Sequence, residues 1–177
     1  MSTIILCGKS GSGKTTIGVE LEKYGYKKLV TYTTRPMRKG EVNGVDYHFV
    51  TEDEFQKLLD NGKFAETASY NAEFGFCRYG SLKEDYGCEG KQYVILNPFG
   101  LKAVRKSGIS ATAIYVYADT HVLTKRLTKR GDSAGEITRR LAADERDFAD
   151  IGEYVDFIIE NNTTPADVAE LIESICR

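Results

Sequence analysis

No stretch of the chain approaches the roughly 20 apolar residues that a membrane span requires, and the N-terminus lacks the pattern of a secretory leader, the start already reading as strand. Those two absences predict a cytoplasmic protein with no membrane partner. A formal net charge of −2 brings no basic excess, so nothing favours nucleic acid or an anionic surface as partner. Histidine occurs only as His48 and His121, and Cys7, Cys77, Cys88 and Cys176 are widely spaced without a C-x-x-C pair. A zinc site is therefore not expected, and without a leader the thiols read as free rather than bridged. The 177 residues, 41% hydrophobic and 28% charged, have the size and balance of one globular domain. No low-complexity linker or internal repeat divides them.

What is present begins at Gly8. Residues 8–15 read GKSGSGKT, placed between the apolar run Thr3-Ile4-Ile5-Leu6 and a helix, which is the G-x4-G-K-[ST] phosphate loop in its proper context. Gly8, Gly11 and Gly13 let the backbone turn tightly enough for successive N–H groups, from Lys9, Ser10 and Ser12 onward, to converge on phosphate oxygens. The following helix adds its positive end. Lys14 brings a full charge to the outer phosphates, the Thr15 hydroxyl is placed to hold Mg²⁺, and Thr16 completes the triphosphate set. The loop predicts binding of a nucleoside triphosphate.

Apolar runs alternate with helix signals along most of the chain. A helix is expected from about Lys14 to Tyr24, stopped at Gly25, then a strand over Lys28–Tyr32. Thr51-Glu-Asp-Glu54 reads as a capping box opening a helix that ends at Asn61-Gly62. Ser81-Leu-Lys-Glu84 reads as a second capping box with a stop at Gly87. Strands are expected at 93–96, 113–117 and 157–159. Helices are expected from Asp119 to about Lys129, from about Gly135 to Ala149, and after Thr164-Pro165, the last burying Val168, Leu171, Ile172 and Ile175. The alternation predicts an α/β fold with a P-loop NTPase-type parallel sheet flanked by helices. Ligands on such a sheet lie beyond the strand carboxyl ends. Residues about 33–80 are the least regular part and read as an inserted subdomain.

Arg35 and Arg38 offer two guanidinium forks suited to a phosphate dianion, and Tyr47, past a turn at Asn43-Gly44, adds a hydroxyl. On chemistry alone, two arginines on a surface hairpin are more often simply solvated. Residues 33–49, however, meet every specified position of T-[ST]-R-x2-[KR]-x2-[DE]-x2-G-x2-Y-x-[FY], and with the loop upstream the chain resembles the guanylate kinases over nearly its whole length. That resemblance implies one domain over 1–177: a core of about 1–32, 82–124 and 150–177, a GMP-binding region of about 33–81, and a helical lid of about 125–149. It also implies that Arg35, Arg38, Tyr47 and Tyr79 hold the GMP phosphate, with Thr31 supplying a further hydroxyl. Glu66 and Ser81 would face guanine, the Glu66 carboxylate accepting from N1–H and the 2-amino group. Arg126, Arg130 and Arg140 would form the part of the lid that neutralises the moving phosphoryl group, and Asn161 would lie near adenine. Arg35 and Lys14 join those arginines as the implied catalytic set, with ATP as donor and Mg²⁺ beside it.

The resemblance is incomplete. Where the family usually carries D-x-D-x-Q-G, this chain has Asn97-Pro98-Phe99-Gly100 and neither aspartate, and Asp46, Asp85 and Glu41 are the candidate replacements. The segment from Glu66 to Tyr79 is also longer than usual by about four residues, 73–78 being the odd portion. Other readings remain beside a guanylate kinase. One is a kinase for dGMP or IMP, though IMP lacks the 2-amino donor. Another is a binding module that has lost catalysis, which the intact Gly13, Lys14 and Thr15 argue against. A regulatory GTPase is disfavoured, because Asp132-Ser-Ala-Gly135 lies in the lid segment and no N-K-x-D follows.

Overall fold

Four short runs that carry aliphatic and β-branched residues, with Tyr26-Lys27-Lys28 at one edge, form one parallel sheet. The structure, a computed structural model, describes residues 2–72, 75–87 and 89–176. Glu73 and Phe74 of the lengthened segment, and Cys88 among the thiols, lie outside the described residues. In chain order the strands of this sheet are β1 (Ser2–Cys7), β2 (Tyr26–Lys28), β7 (Lys91–Ile95), β8 (Thr112–Tyr117) and β9 (Phe157–Glu160), arranged β2-β7-β1-β8-β9. Every pairing is parallel, with Ile5 of β1 opposite Val94 on one side and Ala113 on the other.

Successive residues of β1 point to opposite faces, and both faces are buried. Ile4 and Leu6 join Ile17, Leu21, Val168 and Ile172 under helices α1 (Lys14–Glu22) and α6 (Pro165–Ile175). Ile5 and Cys7 join Leu101 and Val104 of α3 (Pro98–Lys106), with Phe148 and Ile151. Two further helices, α4 (Thr120–Arg130) and α5 (Ala134–Asp147), run between β8 and β9 and bury Leu123, Leu127 and Ile137. Since β1 lies at the centre of the sheet, the loop that follows it opens at the strand carboxyl ends, between the connections after β7 and β8.

A second sheet carries the middle of the chain: β3 (Tyr32–Thr33), β4 (His48–Phe49), β5 (Phe64–Ala72) and β6 (Gly75–Leu82), in the order β4-β3-β6-β5. Helix α2 (Glu52–Asp60) packs Phe55 against Phe64 with ring centroids 4.4 Å apart, and Leu82 completes this smaller core. The Thr51 capping box is present in full.

Four expectations need correction. Lys28–Tyr32 is not one strand. Leu29 still donates to Tyr93 of the parallel sheet, while Thr31 already accepts from His48 of the second, so three residues carry the chain across. Residues 33–80 are more regular than their composition suggests, because β5 and β6 pair antiparallel from Phe64 to Leu82. Ser81 opens no helix. It lies in β6, only a 3₁₀ turn at Lys83–Asp85 follows, and its hydroxyl is committed to Glu66 instead. On α6 Leu171 is 47% exposed, and Ala169 takes the inward place. Helix α3 was not anticipated; Asn97 caps it through a 2.8 Å bond from Gly100 N–H, and Pro98 occupies its first turn.

Candidate active site

The phosphate loop is tied to the end of β9 by a buried side chain. Asn161, fully buried just past β9, donates through Nδ2 to the Ser12 carbonyl at 2.7 Å. Gly13 has φ +96°, and a Cβ there would collide with the same Asn161 amide, so this position is closed to other residues twice over. Lys14 folds back over the loop, donating to the carbonyls of Gly8 at 2.6 Å and Lys9 at 3.0 Å. Burial lowers its pKa, and the Asp144 carboxylate opposes that shift. Arg126 closes the far side. Its Nη2 donates to the Asn161 carbonyl at 2.8 Å and its Nη1 reaches the carbonyls of Gly11 and Ser12 at 3.4 Å.

Helices α4 and α5 bring the remaining arginines over this loop, each already matched by an acid. Arg130 pairs with Asp132, and Glu136 accepts from Arg140 at 2.6 Å and from Arg139 at 2.8 Å. Those partners pull the Glu136 carboxyl down to about 2. Two further acids of α5 touch the phosphate loop itself. Asp144 Oδ2 accepts from the Ser10 N–H at 2.6 Å, and Glu145 pairs with Lys9.

Across the opening stands the second sheet. Arg35, 3% exposed, is gripped by Glu41 through two bonds of 2.7 and 2.9 Å, and its guanidinium lies 5.3 Å from the Tyr47 ring centre. The Tyr47 and Tyr79 rings meet edge to face at 5.9 Å. Lys28, on the parallel sheet, donates to the carbonyls of Val45 at 2.8 Å and Asp46 at 3.0 Å, which ties the Tyr47 loop to the core.

Glu66 is the unusual group here. Its side chain is carried inward by β5, leaves the residue 6% exposed, and has its carboxyl pushed up to about 7 by burial, with Ser81 partly offsetting this. Ser81 Oγ donates to Glu66 Oε1 at 2.9 Å, and the Tyr86 hydroxyl lies 2.8 Å behind Ser81. The other carboxylate oxygen reaches toward α3, where a Cβ on Gly100 would stand 2.8 Å from Oε2. A carboxylate held in this way, with little water around it, is a strong acceptor for paired N–H donors.

One cavity of about 990 Å³ joins these parts. From the loop side it is lined by Gly8, Ser10, Gly11, Gly13, Lys14, Thr15, Thr16 and Asn161, and from α4 and α5 by Arg126, Arg130 and Arg140. Thr31, Arg35, Arg38, Tyr47, Glu66 and Tyr79 line it from the opposite wall. Of the residues singled out from sequence, Lys9, Ser12 and Ser81 do not line the cavity and instead bond Lys14, Asn161 and Glu66, which do. Asp46 and Glu41 line it but are occupied by Val42 N–H and Arg35, and Asp85 stands outside. Sequence reasoning missed Asp144 and Asp147, both on the cavity wall near the loop. Their signal was helical periodicity, since both fall on the face of Arg140 at i+4 and i+7. Among the described residues no group of three or more His, Cys, Asp or Glu could hold a metal ion. The Thr15 hydroxyl suits a Mg²⁺ that arrives on a triphosphate and keeps most of its ligands from phosphate and water.

A parallel sheet whose central strand runs into this loop, with arginines above it and a second sheet opposite, defines a P-loop nucleotide-binding protein. Comparison with known proteins narrows the class. The family profile described as Guanylate kinase matches residues 1–176. A guanylate kinase of Syntrophus aciditrophicus is 34% identical over 173 residues, covering 95% of this chain and 82% of that protein. One of Thermotoga maritima is 34% identical over 184 residues, covering 98% and 84%. The crystal structure of guanylate kinase from Anaplasma phagocytophilum superposes with a TM-score of 0.74 over 99% of this chain and 84% of that one; at 24% identity it speaks to the fold. The chain belongs to the guanylate kinase family.

Proposed function

We propose that this protein transfers the γ-phosphoryl group of Mg·ATP to GMP, and to dGMP, giving ADP and the guanosine diphosphate. The observation that carries this reading is the buried Glu66 carboxylate facing an intact phosphate loop across one cavity. Ionised Glu66 has two acceptors for the N1–H and 2-amino donors of guanine. Adenine presents no such pair on that edge, and hypoxanthine only one donor. Leaving a buried carboxylate half-paired costs about 1–3 kcal/mol, a factor of roughly ten to a hundred in acceptor choice.

The remaining roles follow from charge and position. Arg35 and Arg38, with the Tyr47 and Tyr79 hydroxyls, bind the acceptor phosphate. Glu41 keeps the Arg35 guanidinium in one orientation for that purpose. The loop from Gly8 to Thr16 binds the triphosphate, with Lys14 released from the Gly8 and Lys9 carbonyls to reach it. The Thr15 hydroxyl would hold the Mg²⁺ that accompanies ATP, whose chemistry would be charge neutralisation. Arg126, Arg130 and Arg140 spread over the transferring group, where they stabilise charge that grows in the transition state. Transfer of this kind needs alignment and dry surroundings more than covalent help. Buried Cys7, its thiol pushed up to about 12 by burial, takes no part.

The test is ADP release from Mg·ATP with GMP, dGMP, IMP, AMP, UMP and CMP as separate acceptors, beside Glu66→Gln. Turnover confined to GMP and dGMP, and lost in the variant, supports the reading. Nucleotide binding without turnover on any acceptor would replace it with a non-catalytic binding module.

A further inference from the structure

A hydroxyl carries one proton. Ser81 donates its own to Glu66 Oε1, so the 2.8 Å contact between Ser81 Oγ and Tyr86 Oη is made with the phenol as donor. The chain of bonds therefore runs Tyr86 to Ser81 to Glu66, every hydrogen pointing toward the carboxylate. If Glu66 took up a proton on Oε1 the same three groups could reverse, Oε1–H donating to Ser81, and only Oε2 would remain as a full acceptor where guanine needs two. We propose that Tyr86 is a positioning residue for base recognition, holding the Glu66 carboxylate in its ionised, guanine-reading form through the Ser81 hydroxyl. This rests on the reading of Glu66 given above and adds a residue outside the cavity wall to it.

Three features of the surroundings make the relay consequential. Glu66 titrates near the working pH, with a value of about 7, so a small bias changes the fraction ready to bind. No basic side chain is among the groups that shift it: burial acts against its charge, and Ser81 alone, through side chain and backbone, acts for it. From α3 it meets uncharged Gly100, with Asn97 alongside. Burial first, then the carboxylates of Glu66 and Asp85, raise the Tyr86 phenol against the opposing Ser81 hydrogen bond, so it keeps its proton across the neutral range. Its ring, partly buried, packs against the core cluster that includes Leu96 and Leu101.

The test is calorimetric titration of the wild type, Tyr86→Phe, Ser81→Ala and the double variant with GMP, from about pH 5.5 to 9. Tyr86→Phe keeps the ring, and its melting temperature reports whether the core is intact. The expected result is about twofold weaker GMP binding at pH 7 and about threefold weaker binding near pH 5.5, recovering as the pH rises, with the acid limb of affinity moved up by about half a unit. In the Ser81→Ala background the Tyr86 change should add nothing, because the path to Glu66 is already cut. GMP phosphate ionisation is common to all four proteins and cancels. An effect of Tyr86→Phe that is equal at every pH, or that adds fully to Ser81→Ala, overturns the relay in favour of simple packing. Wild-type affinity for GMP with an unchanged Tyr86→Phe profile overturns the relay alone. Absence of GMP binding by the wild type removes the reading of Glu66 and the relay with it.

Discussion

Asp144 Oδ2 accepts a 2.6 Å hydrogen bond from the backbone N–H of Ser10, so a carboxylate from α5 rests on the loop that is built for phosphate. An anion arriving there must displace it or share the field of Lys14, whose pKa Asp144 supports. Asp144→Ala should therefore bind ATP about threefold to tenfold more tightly in the absence of acceptor. Weaker binding of Mg·ATP by the variant, with free ATP unaffected, would mean instead that the carboxylate orders the metal's water shell.

Lys14→Ala removes a buried ammonium that bonds only the loop carbonyls and Ser12 in the described structure. Turnover with GMP should fall by a factor on the order of 10³. The melting temperature should stay within a few degrees, since the lost bonds are offset by relief of a desolvated charge. A collapse of thermal stability parallel to the loss of turnover would assign Lys14 to the fold rather than to transfer.

The raised carboxyl of Glu66 has a consequence for stability with a definite sign. Its value in the folded protein, about 7, lies above the ordinary 4.5, so the folded state binds the proton more strongly. Stability contributed by the protonated form is full below about pH 4.5 and is lost as the pH rises through about 7. The loss is on the order of 3 kcal/mol, and smaller if the site relaxes. Glu66→Gln, which keeps an acceptor for Ser81, should become more stable than the wild type as the pH goes from 5 to 8, by urea unfolding. The wild type should show an acid limb near pH 7 in kcat/KM for GMP, and the variant should lose GMP turnover. A stability difference that does not change with pH would contradict the titration.

Gly100 offers a separation of site from scaffold. It lies in the first turns of α3, where alanine is the better helix former, yet its Cβ would stand 2.8 Å from Glu66 Oε2. Gly100→Ala should raise KM for GMP about tenfold by pushing the carboxylate aside, with little change in kcat or in ATP binding. An unchanged KM would show that Glu66 has room to move.

The parallel sheet was legible because β1, β7 and β8 are short apolar runs between helix signals, a pattern that belongs to strands buried on both faces. The hairpin of β5 and β6 was not, since its strands are rich in Glu, Ser, Asn and Gly and owe their form to pairing with each other rather than to local preference. Ser81 shows the same limit at one residue. Its spacing to Glu84 is that of a cap, and only the tertiary placement of Glu66 redirects the hydroxyl. The phosphate loop was read whole, because its chemistry is contiguous in sequence. Glu66 was singled out by resemblance, but the groups around it, Tyr86 behind Ser81 and Gly100 beside Oε2, come from segments that meet only in the fold.

Three cations around the phosphate loop are matched in advance, Lys9 by Glu145, Arg130 by Asp132 and Arg140 by Glu136, while Lys14 and Arg126 rest on backbone carbonyls. Nucleotide binding is then a change of partners, in which phosphate oxygens take the place of carboxylates and the released acids turn to water. Few counterions are set free in such a trade. The affinity for ATP should accordingly vary only weakly with ionic strength, and discrimination between triphosphate and smaller anions should come from how many of these exchanges one ligand can complete at once.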